Sequence, residues 1–371
     1  MFKIKCNQKD LAKALTETQK AISQKSSMEI LKNFYLEAFD TSFKVVGYNL
    51  EIAISSIIDV EVIKKGKILI DAKLFSDIIK KLPDGTVDIF VNEDKLHIEC
   101  NKSKFSLKCL KADDYPQIPD VSKDKSIKIN SKTFKQIVSE TVFATSQDPT
   151  KPILMGELLE INNDSINLIA IDGYRLAVSK NIIPNNMDDT KLIIPAKTLL
   201  DVSSLFNSED ESFELGFNDK YAIFNLGRIT VVSRLLEGQF IDYSKLINTE
   251  YNSLVTLDRV DLLRGIERAS LLSNDKNNLV KFSIRDSFIQ ISSNCDNGDA
   301  NEEVSIKLEG EYLDIAFNSR YLIDVLKNLD CKELTLQFTS NVNPCIIKPI
   351  TDNKEKDYLY LLLPVRISSR V

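Results

Sequence analysis

The amino-acid sequence predicts an α+β fold made of three tandem repeats, each with two helices and several β-strands. Three observations predict it. One strand-and-helix segment occurs three times, a second helical segment occurs three times, and alternating β-type runs lie between the helices. The copies are spaced by about 124 residues, one third of the 371-residue chain, so the repeat fills the sequence. Domain boundaries are expected near Lys123 and Glu250, which gives domains at 1–122, 123–249 and 250–371.

The first repeated segment consists of a short strand, a helix-capping residue and an amphipathic helix. The three strands include Ile4, Ile127 and Val255. The capping positions that follow are Asn7, Asn130 and Asp258. Side chains of these types accept hydrogen bonds from the first free amides of a helix, so a helix is predicted to begin after each of them.

The helical wheel separates the apolar and basic residues of the first helix. One face holds Leu11, Leu15, Thr18 and Ile22, and the opposite face holds Lys9, Lys13 and Lys20. A pattern of this kind is typical of a helix that packs on a core with one side and meets solvent with the other.

The second repeated segment is another helix, starting near Asp71, Pro195 and Asn318. In its first copy Leu74, Ile78 and Leu82 are predicted to face the core, while Lys73 and Lys80 point away. The basic position recurs in the other copies as Lys197 and Arg320.

Positive charge is concentrated in the predicted helices. They carry a net charge of +6, whereas the whole chain carries -6. A basic helical surface suits attraction to phosphates without base readout, and aromatic residues are not interleaved as single-strand stacking would need. Nonspecific duplex binding is therefore predicted. The DNA-facing candidates from this pattern are Lys9, Lys13, Lys20, Lys73, Lys80, Lys197, Arg264 and Arg320.

Sequence features of enzymes are missing. The sequence contains no phosphate-binding glycine motif or nucleophile motif, and its six cysteines are scattered without zinc-ligand spacing. Its one histidine, His97, lies in an alternating run and is expected at an exposed strand position. We therefore predict no catalytic site, metal or cofactor, and a cytoplasmic, nucleoid-associated location, because no signal segment or membrane-length apolar run is found.

Four segments spread along the chain resemble one family. They are 152–156 (PILMG), 170–177 (AIDGYRLA), 233–243 (SRLLEGQFIDY) and 361–366 (LLLPVR). With the threefold repeat, they make the whole chain similar to the bacterial sliding clamp, the DNA polymerase III beta subunit. The resemblance implies clamp-type domains with helices on antiparallel sheets and a head-to-tail dimeric ring.

That resemblance also implies the function. Members of this family are non-catalytic processivity subunits that encircle duplex DNA and slide along it. They tether the replicative polymerase alpha subunit, the clamp loader and other proteins that carry a clamp-binding motif.

Three sets of residues follow from the resemblance. The partner-peptide pocket would comprise Leu154, Ile171, Gly173, Tyr174, Arg175, Leu176, Ile241, Lys245, Leu246, Asn318, Tyr321, Val342, Pro344, Leu361, Leu363, Pro364, Val365 and Arg366. Lys25 and Gln147 match loop positions that touch the duplex. Phe105 and Leu107 would meet Leu271 and Leu272 of a second copy at the dimer seam.

The sequence departs from the family pattern at the pocket. Ile171 stands where threonine is usual and Ile241 where proline is usual, so the pocket is expected to be more apolar and its loop less constrained. These two departures leave the partner-peptide preference open. The chain also continues past the family's usual end as Ile367–Val371, a segment to which the resemblance assigns no role.

Two other functions fit the sequence less well. A catalytic subunit such as a nucleotidyltransferase would need clustered carboxylates, but Asp113-Asp114 and Asp188-Asp189 are adjacent pairs in turn-like contexts, unlike a two-metal site. A protein-binding scaffold without a DNA role would explain the apolar C-terminal segment, but not the basic helix faces.

Overall fold

A computed structural model describes residues 2–23, 25–120, 125–183, 187–206, 211–247, 250–273, 278–352 and 356–366. The predicted boundary residue Lys123 and the segment Ile367–Val371 lie outside these ranges, and the domain limits remain predictions. The chain forms two compact units, one of Met1–Phe134 with Lys197–Leu235 and one of Lys135–Ala196 with Leu236–Val371.

Six α-helices occur in the described ranges. They are α1 (Gln8–Gln19), α2 (Ala72–Lys81), α3 (Ser131–Thr141), α4 (Ala196–Ser203), α5 (Arg259–Ser270) and α6 (Ser319–Asn328).

The strands of the first repeat are β1 (Lys3–Asn7), β2 (Asn33–Phe39), β3 (Ser42–Tyr48), β4 (Ile52–Asp59), β5 (Glu61–Lys64), β6 (Gly66–Asp71), β7 (Thr86–Asn92), β8 (Lys95–Cys100) and β9 (Ser103–Lys108). Those of the second are β10 (Ser126–Asn130), β11 (Gly156–Ile161), β12 (Ser165–Ile171), β13 (Arg175–Ile182), β14 (Thr190–Pro195), β15 (Ser212–Phe217), β16 (Tyr221–Asn225) and β17 (Ile229–Arg234). Those of the third are β18 (Ser253–Asp258), β19 (Leu279–Ile284), β20 (Phe288–Cys295), β21 (Gly298–Ser305), β22 (Lys307–Gly310), β23 (Leu313–Asn318), β24 (Glu333–Phe338), β25 (Cys345–Pro349) and β26 (Lys356–Leu362).

The predicted repeat and its helix caps are confirmed. Side-chain oxygens of Asn7, Asn130 and Asp258 accept hydrogen bonds from amides in the first turns of α1, α3 and α5. Asp71 and Asn318 cap α2 and α6 in the same way. Each cap satisfies amides that the helix itself leaves free, so these local signals fix where the helices begin.

The predicted core face of α2 is wrong at one position. Leu74 is 49% exposed, and the buried face of the helix contains Ala72, Phe75 and Ile79 instead. Two apolar stripes run along this helix, because Leu74 and Phe75 are adjacent. The core selects the stripe that contains the larger aromatic ring.

All sheet pairings are antiparallel, and two sheets cross the repeat boundaries. In the first unit, β4 of the first repeat pairs with β17 of the second, within the sheet β10-β15-β16-β17-β4-β3-β2-β6. In the second unit, β13 pairs with β26 of the third repeat, within the sheet β14-β11-β12-β13-β26-β25-β24-β18-β22. We call these two pairings the joints between repeats.

The remaining two sheets each belong to one repeat. They are β5-β1-β7-β8-β9 in the first unit and β21-β20-β19-β23 in the second. Strands β9 and β21 therefore form sheet edges within the described chain. In the first repeat, β9 has the position that β17 and β26 have in the second and third repeats. In the third repeat, β21 has the position that β4 and β13 have in the first and second repeats.

Candidate peptide groove and DNA-contact surface

The second joint builds an apolar floor. Pairing of β13 with β26 places Leu176 opposite Leu361, and both are 5% exposed or less. Ile171, buried at 5% exposure, belongs to the same cluster, and Leu154 packs against it. Four predicted pocket residues are therefore brought together although they lie up to 207 residues apart in the sequence.

An open depression lies beside this floor. Leu246, Pro344 and Leu361 line it together with the polar residues Glu250, Gln337, Thr339 and Asn343. Leu246 is 41% exposed, and Val342 in the adjoining loop is 62% exposed. Large exposed apolar side chains next to a concave surface are typical of a binding groove.

Two tyrosines pack together beside the second joint. Tyr174 is 59% exposed and stacks on Tyr321 with ring centroids 6.1 Å apart. Tyr174 follows Gly173, which has a φ of 98°, a conformation that glycine adopts without strain. The Asp172 carboxylate accepts the amides of Tyr174 and Arg175, so this turn holds the tyrosine in its exposed position.

Arg175 is a positioning residue in this arrangement. Its guanidinium donates to Asp172 at 3.0 Å, to Asp324 at 2.6 Å and to the carbonyl of Phe143. It also lies over the ring of Tyr321, 4.6 Å from the centroid. Because three of its donors bind protein acceptors and its guanidinium covers the Tyr321 ring, Arg175 holds this turn and Tyr321 in place.

The last described segment runs from the second joint past Tyr174. The Leu363 amide donates to the carbonyl of Tyr174 at 2.9 Å, and the Val365 amide donates to Ala316 at 2.7 Å. Leu363 is 39% exposed, Pro364 and Val365 are half-buried, and Arg366 is exposed.

Three further predicted pocket residues have other contacts or are exposed. Asn318 uses its side chain to cap α6, and Lys245 is paired with Asp242 at 2.9 Å. Ile241 is 42% exposed.

Several residues at the floor were missed by the sequence analysis. They are Ile153, Leu158, Ile169, Val178, Ile193, Leu236, Phe240, Tyr243, Ile247 and Leu359. Strand alternation on β11, β12 and β13 is a signal that could have found Leu158, Ile169 and Val178, because they share a sheet face with Ile171 and Leu176.

Apart from Lys25, which lies in a turn beyond α1, the DNA-facing candidates of the first unit lie along three neighbouring helices. Lys80 on α2 donates to Gln19 on α1 at 3.1 Å, and Lys197 on α4 donates to the carbonyl of Lys20 at 3.3 Å. Lys9, Lys13, Lys25, Lys73, Lys80 and Lys197 are exposed, and Lys20 is half-buried. The helices α2, α1 and α4 therefore form one row that presents lysines to solvent.

In the second unit, Arg264, Arg320 and Gln147 are all exposed. Arg259, which contributed to the predicted basic helix charge, has another role. Its guanidinium donates to the carbonyls of Cys331 and Leu326, both at 2.9 Å, so it binds backbone near the end of α6.

The predicted seam residues lie at the free sheet edge and at the end of α5. Phe105 on β9 is 40% exposed, and Leu107 on the same strand is half-buried. Leu271, the residue after α5, is 80% exposed, and Leu272 is half-buried.

Within the described ranges, no three His, Cys, Asp or Glu side chains are grouped as metal ligands, and no helix has the length and apolarity to cross a membrane. All six cysteines are free, and His97 is half-buried with its ring stacked on Phe90 at 4.9 Å.

Comparisons with known proteins match three consecutive parts of the chain. The N-terminal, central and C-terminal domains of the DNA polymerase III beta subunit match residues 2–119, 128–242 and 244–366. The beta sliding clamp of Staphylococcus epidermidis is 33% identical over 364 residues, covering 95% of this chain and 96% of its own.

Solved structures agree. The DNA polymerase sliding clamp of Bacillus subtilis superposes with a TM-score of 0.95 at 30% identity, covering 99% of both chains. The DNA polymerase III beta chain of Streptococcus pneumoniae has a TM-score of 0.95 at 31% identity, covering 99% of this chain and 100% of its own. The chain therefore belongs to the DNA polymerase III beta subunit family, the beta sliding clamps, which are non-catalytic processivity factors of the polymerase that replicates DNA.

Proposed function

We propose that two copies of this chain close head to tail into a ring around duplex DNA, with the groove at the second joint holding peptides of replication partners. The observation that carries the ring is the pair of free edge strands, β9 and β21. Each has the position in its repeat that makes a joint elsewhere in the chain.

Cross-strand pairs define the equivalent positions on one side of the joints. Three steps from Ile4 across β7 and β8 reach Phe105 on β9, and three steps from Val255 across β24 and β25 reach Tyr360 on β26. The same path from Ile127 reaches Val231 on β17. On the other side, β4, β13 and β21 are eight residues long and begin 123 residues apart.

The two joints share one register, and this register can be transferred to the seam. Ile54 is opposite Val231 in the first joint, and Ala177 is opposite Tyr360 in the second. The equivalent pair between copies is Phe105 opposite Ala300. One face of the new ladder then holds Phe105 and Leu107, and the other brings Lys102 opposite Glu303. Apolar and charged residues both match, which favours this pairing.

Helix residues at the second joint also have counterparts at the proposed seam. At the second joint, Phe143 packs on Tyr360 at 5.7 Å, and Tyr321 on α6 lies nearby under Arg175. Their counterparts are Leu271, at the end of α5, and Leu74 on α2. Both are exposed in one protomer, so the seam supplies a burial partner for the leucine that the core of the first repeat leaves out.

DNA contact is supported by the row of lysine-bearing helices, and charge reversal tests it. Changing Lys73, Lys197 and Arg320 to Glu is expected to weaken association with duplex DNA. The slope of log affinity against log salt should fall by up to about 3 per protomer, because each phosphate contact contributes about 0.9. Fluorescence anisotropy over a salt series measures it.

The matched control reverses one exposed lysine per repeat outside the helices, namely Lys64, Lys220 and Lys332. This variant has the same net charge as the helix variant. Equal salt slopes for the two variants would show that the helices do not face DNA.

Partner binding is supported by the exposed apolar residues around the groove. A short peptide with Gln, Leu and Phe anchors is expected to bind with micromolar affinity, since few buried side chains offset the ordering of the peptide. Changing Leu246 to Ala should weaken it by about 1 to 2 kcal/mol, five- to thirty-fold, because the leucine lines the depression. Isothermal titration calorimetry measures the affinity.

Leu200 on α4 provides the control, because it is 49% exposed but belongs to the first unit, whereas the groove is built from the second. Its change to Ala should leave peptide affinity unaltered. A peptide that binds both variants like the unmodified chain would place the partner site away from Leu246.

A further inference from the structure

A second cavity lies on the face of the sheet β2-β3-β6 that points away from the core of the first repeat. Its volume is 360 Å³, and the segment 112–118 covers one side of it. Strands β2, β3 and β6 supply the other side through Tyr35, Glu37, Lys44 and Lys67. The space exceeds the cavity of about 150 Å³ that is known to admit a benzene ring.

The same place in the second repeat is occupied by a tyrosine of the chain itself. Tyr243 donates its hydroxyl hydrogen to Glu160 at 2.8 Å, and Lys191 binds the same carboxylate at 2.8 Å. Glu160 is opposite Lys191 on the neighbouring strand. This arrangement shows how the fold accommodates a phenol ring at this site.

Strand pairing identifies the counterparts in the first repeat. Glu37 is opposite Lys67 on β6, as Glu160 is opposite Lys191 on β14. In the segment that covers the cavity, Tyr115 and Ile118 pack against an apolar cluster of the first unit. In the second repeat, Phe240 and Tyr243 have the same spacing and pack against the groove floor. Ile118 therefore stands where the second repeat has Tyr243.

The first repeat keeps the acceptor but has Ile118 in place of a tyrosine equivalent to Tyr243. Burial and the neighbouring Glu37 raise the pKa of Tyr35 to about 12, so Tyr35 is a neutral donor to Glu37. A carboxylate has room for further donors. The hydroxyl of Tyr115 is buried, and no other described residue forms a hydrogen bond with it. Both observations point to an incomplete polar site.

We propose that this cavity binds a phenol group, either a tyrosine side chain of a partner protein or a small phenol. The ring packs between Tyr35, Tyr115 and Ile118, and the hydroxyl donates to Glu37. This site is separate from the peptide groove and does not depend on ring closure.

The first experiment uses 4-fluorophenol as the probe and fluorine NMR of the full-length protein. Saturable binding is expected with a dissociation constant on the order of 1 mM, the scale for a ligand of eight heavy atoms. Fluorobenzene, which lacks the hydroxyl, should bind at least threefold more weakly. Equal binding of the two probes would overturn the role of Glu37.

Two substitutions locate the probe. Changing Ile118 to Tyr should fill the cavity from within, lower probe affinity at least tenfold and raise the melting temperature. Changing Ile118 to Phe fills the same space without the hydroxyl and should also block the probe, so one variant suffices if the other fails to fold. Probe binding that survives both changes would overturn the proposal.

The reciprocal variant provides a positive control. Changing Tyr243 to Ile should open the equivalent site beside Glu160 and raise the number of bound probes from one to two per chain. N-acetyl-tyrosine amide distinguishes the sources, since tighter binding than 4-fluorophenol indicates a protein side chain and weaker binding indicates a small phenol. A Tyr243→Ile chain that still binds one probe would contradict the equivalence of the two sites.

Discussion

Changing Leu271 and Leu272 to Ala is expected to convert the dimer into monomers at micromolar concentration. Leu271 is 80% exposed in one protomer, and the proposed seam buries it against Phe105 of the second copy. By analogy with buried Leu→Ala substitutions, the pair should remove about 4 to 8 kcal/mol of association free energy per seam. Sedimentation velocity measures the change, and retention on nicked circular DNA should be lost with it.

The control changes Leu200 and Leu246 to Ala, because these leucines are also exposed but lie outside the proposed seam. This variant should remain dimeric and stay on nicked circular DNA until the circle is linearised. A normal dimer from the Leu271 and Leu272 variant would refute the seam, whereas the fold and the groove would be unaffected.

The second large effect concerns stability. Glu157 on β11 is fully buried, and neither carboxylate oxygen has a hydrogen-bond partner in the described chain. Burial raises the pKa of this carboxyl from 4.5 to about 8. The nearby Thr141 hydroxyl opposes the shift only in part, because its hydrogen is donated to the carbonyl of Ile137 and not to Glu157. The folded protein therefore favours the protonated form.

The sign of the pH dependence follows from this shift. Below pH 4.5 the carboxyl is protonated in both states and adds no pH dependence, whereas between pH 4.5 and about 8 the unfolded chain ionises and the folded chain does not. Stability should therefore fall across this window, by about 3 kcal/mol at pH 7. Changing Glu157 to Met should remove the fall and stabilise the protein at pH 7 by a similar amount. Urea unfolding over a pH series measures both.

The control is Glu61 on the edge strand β5, which is exposed, and whose change to Gln should leave the pH profile unaltered. If the Glu157→Met chain loses stability between pH 5 and 8 as steeply as the unmodified chain, other groups are responsible for the loss.

Local signals explain why much of the fold could be predicted. The caps Asn7, Asn130 and Asp258 act within a few residues, so the sequence alone shows where their helices begin. The phase of α2 could not be obtained in this way, because Leu74 and Phe75 define two apolar stripes and only tertiary packing chooses between them.

Long-range pairing limits the prediction of the sites. The groove floor requires Leu176 opposite Leu361, and the first joint requires Ile54 opposite Val231, partners separated by more than 170 residues. No local pattern specifies such pairs. The resemblance supplied most of the groove residues, whereas the committed state of Arg175 and the buried carboxyl of Glu157 depend on neighbours that only the folded chain reveals.

The joints also show that the sheets do not end where the sequence repeats end. One repeat is a unit of sequence, but one of its edge strands finds its hydrogen-bonding partner only in the following repeat, as β4 does in β17. A chain cut between repeats would expose two backbone edges that the intact molecule satisfies internally. Three consecutive repeats leave one edge strand of each kind, β9 and β21, without a partner among the described strands. The protomer therefore presents the same two edges as a single repeat would.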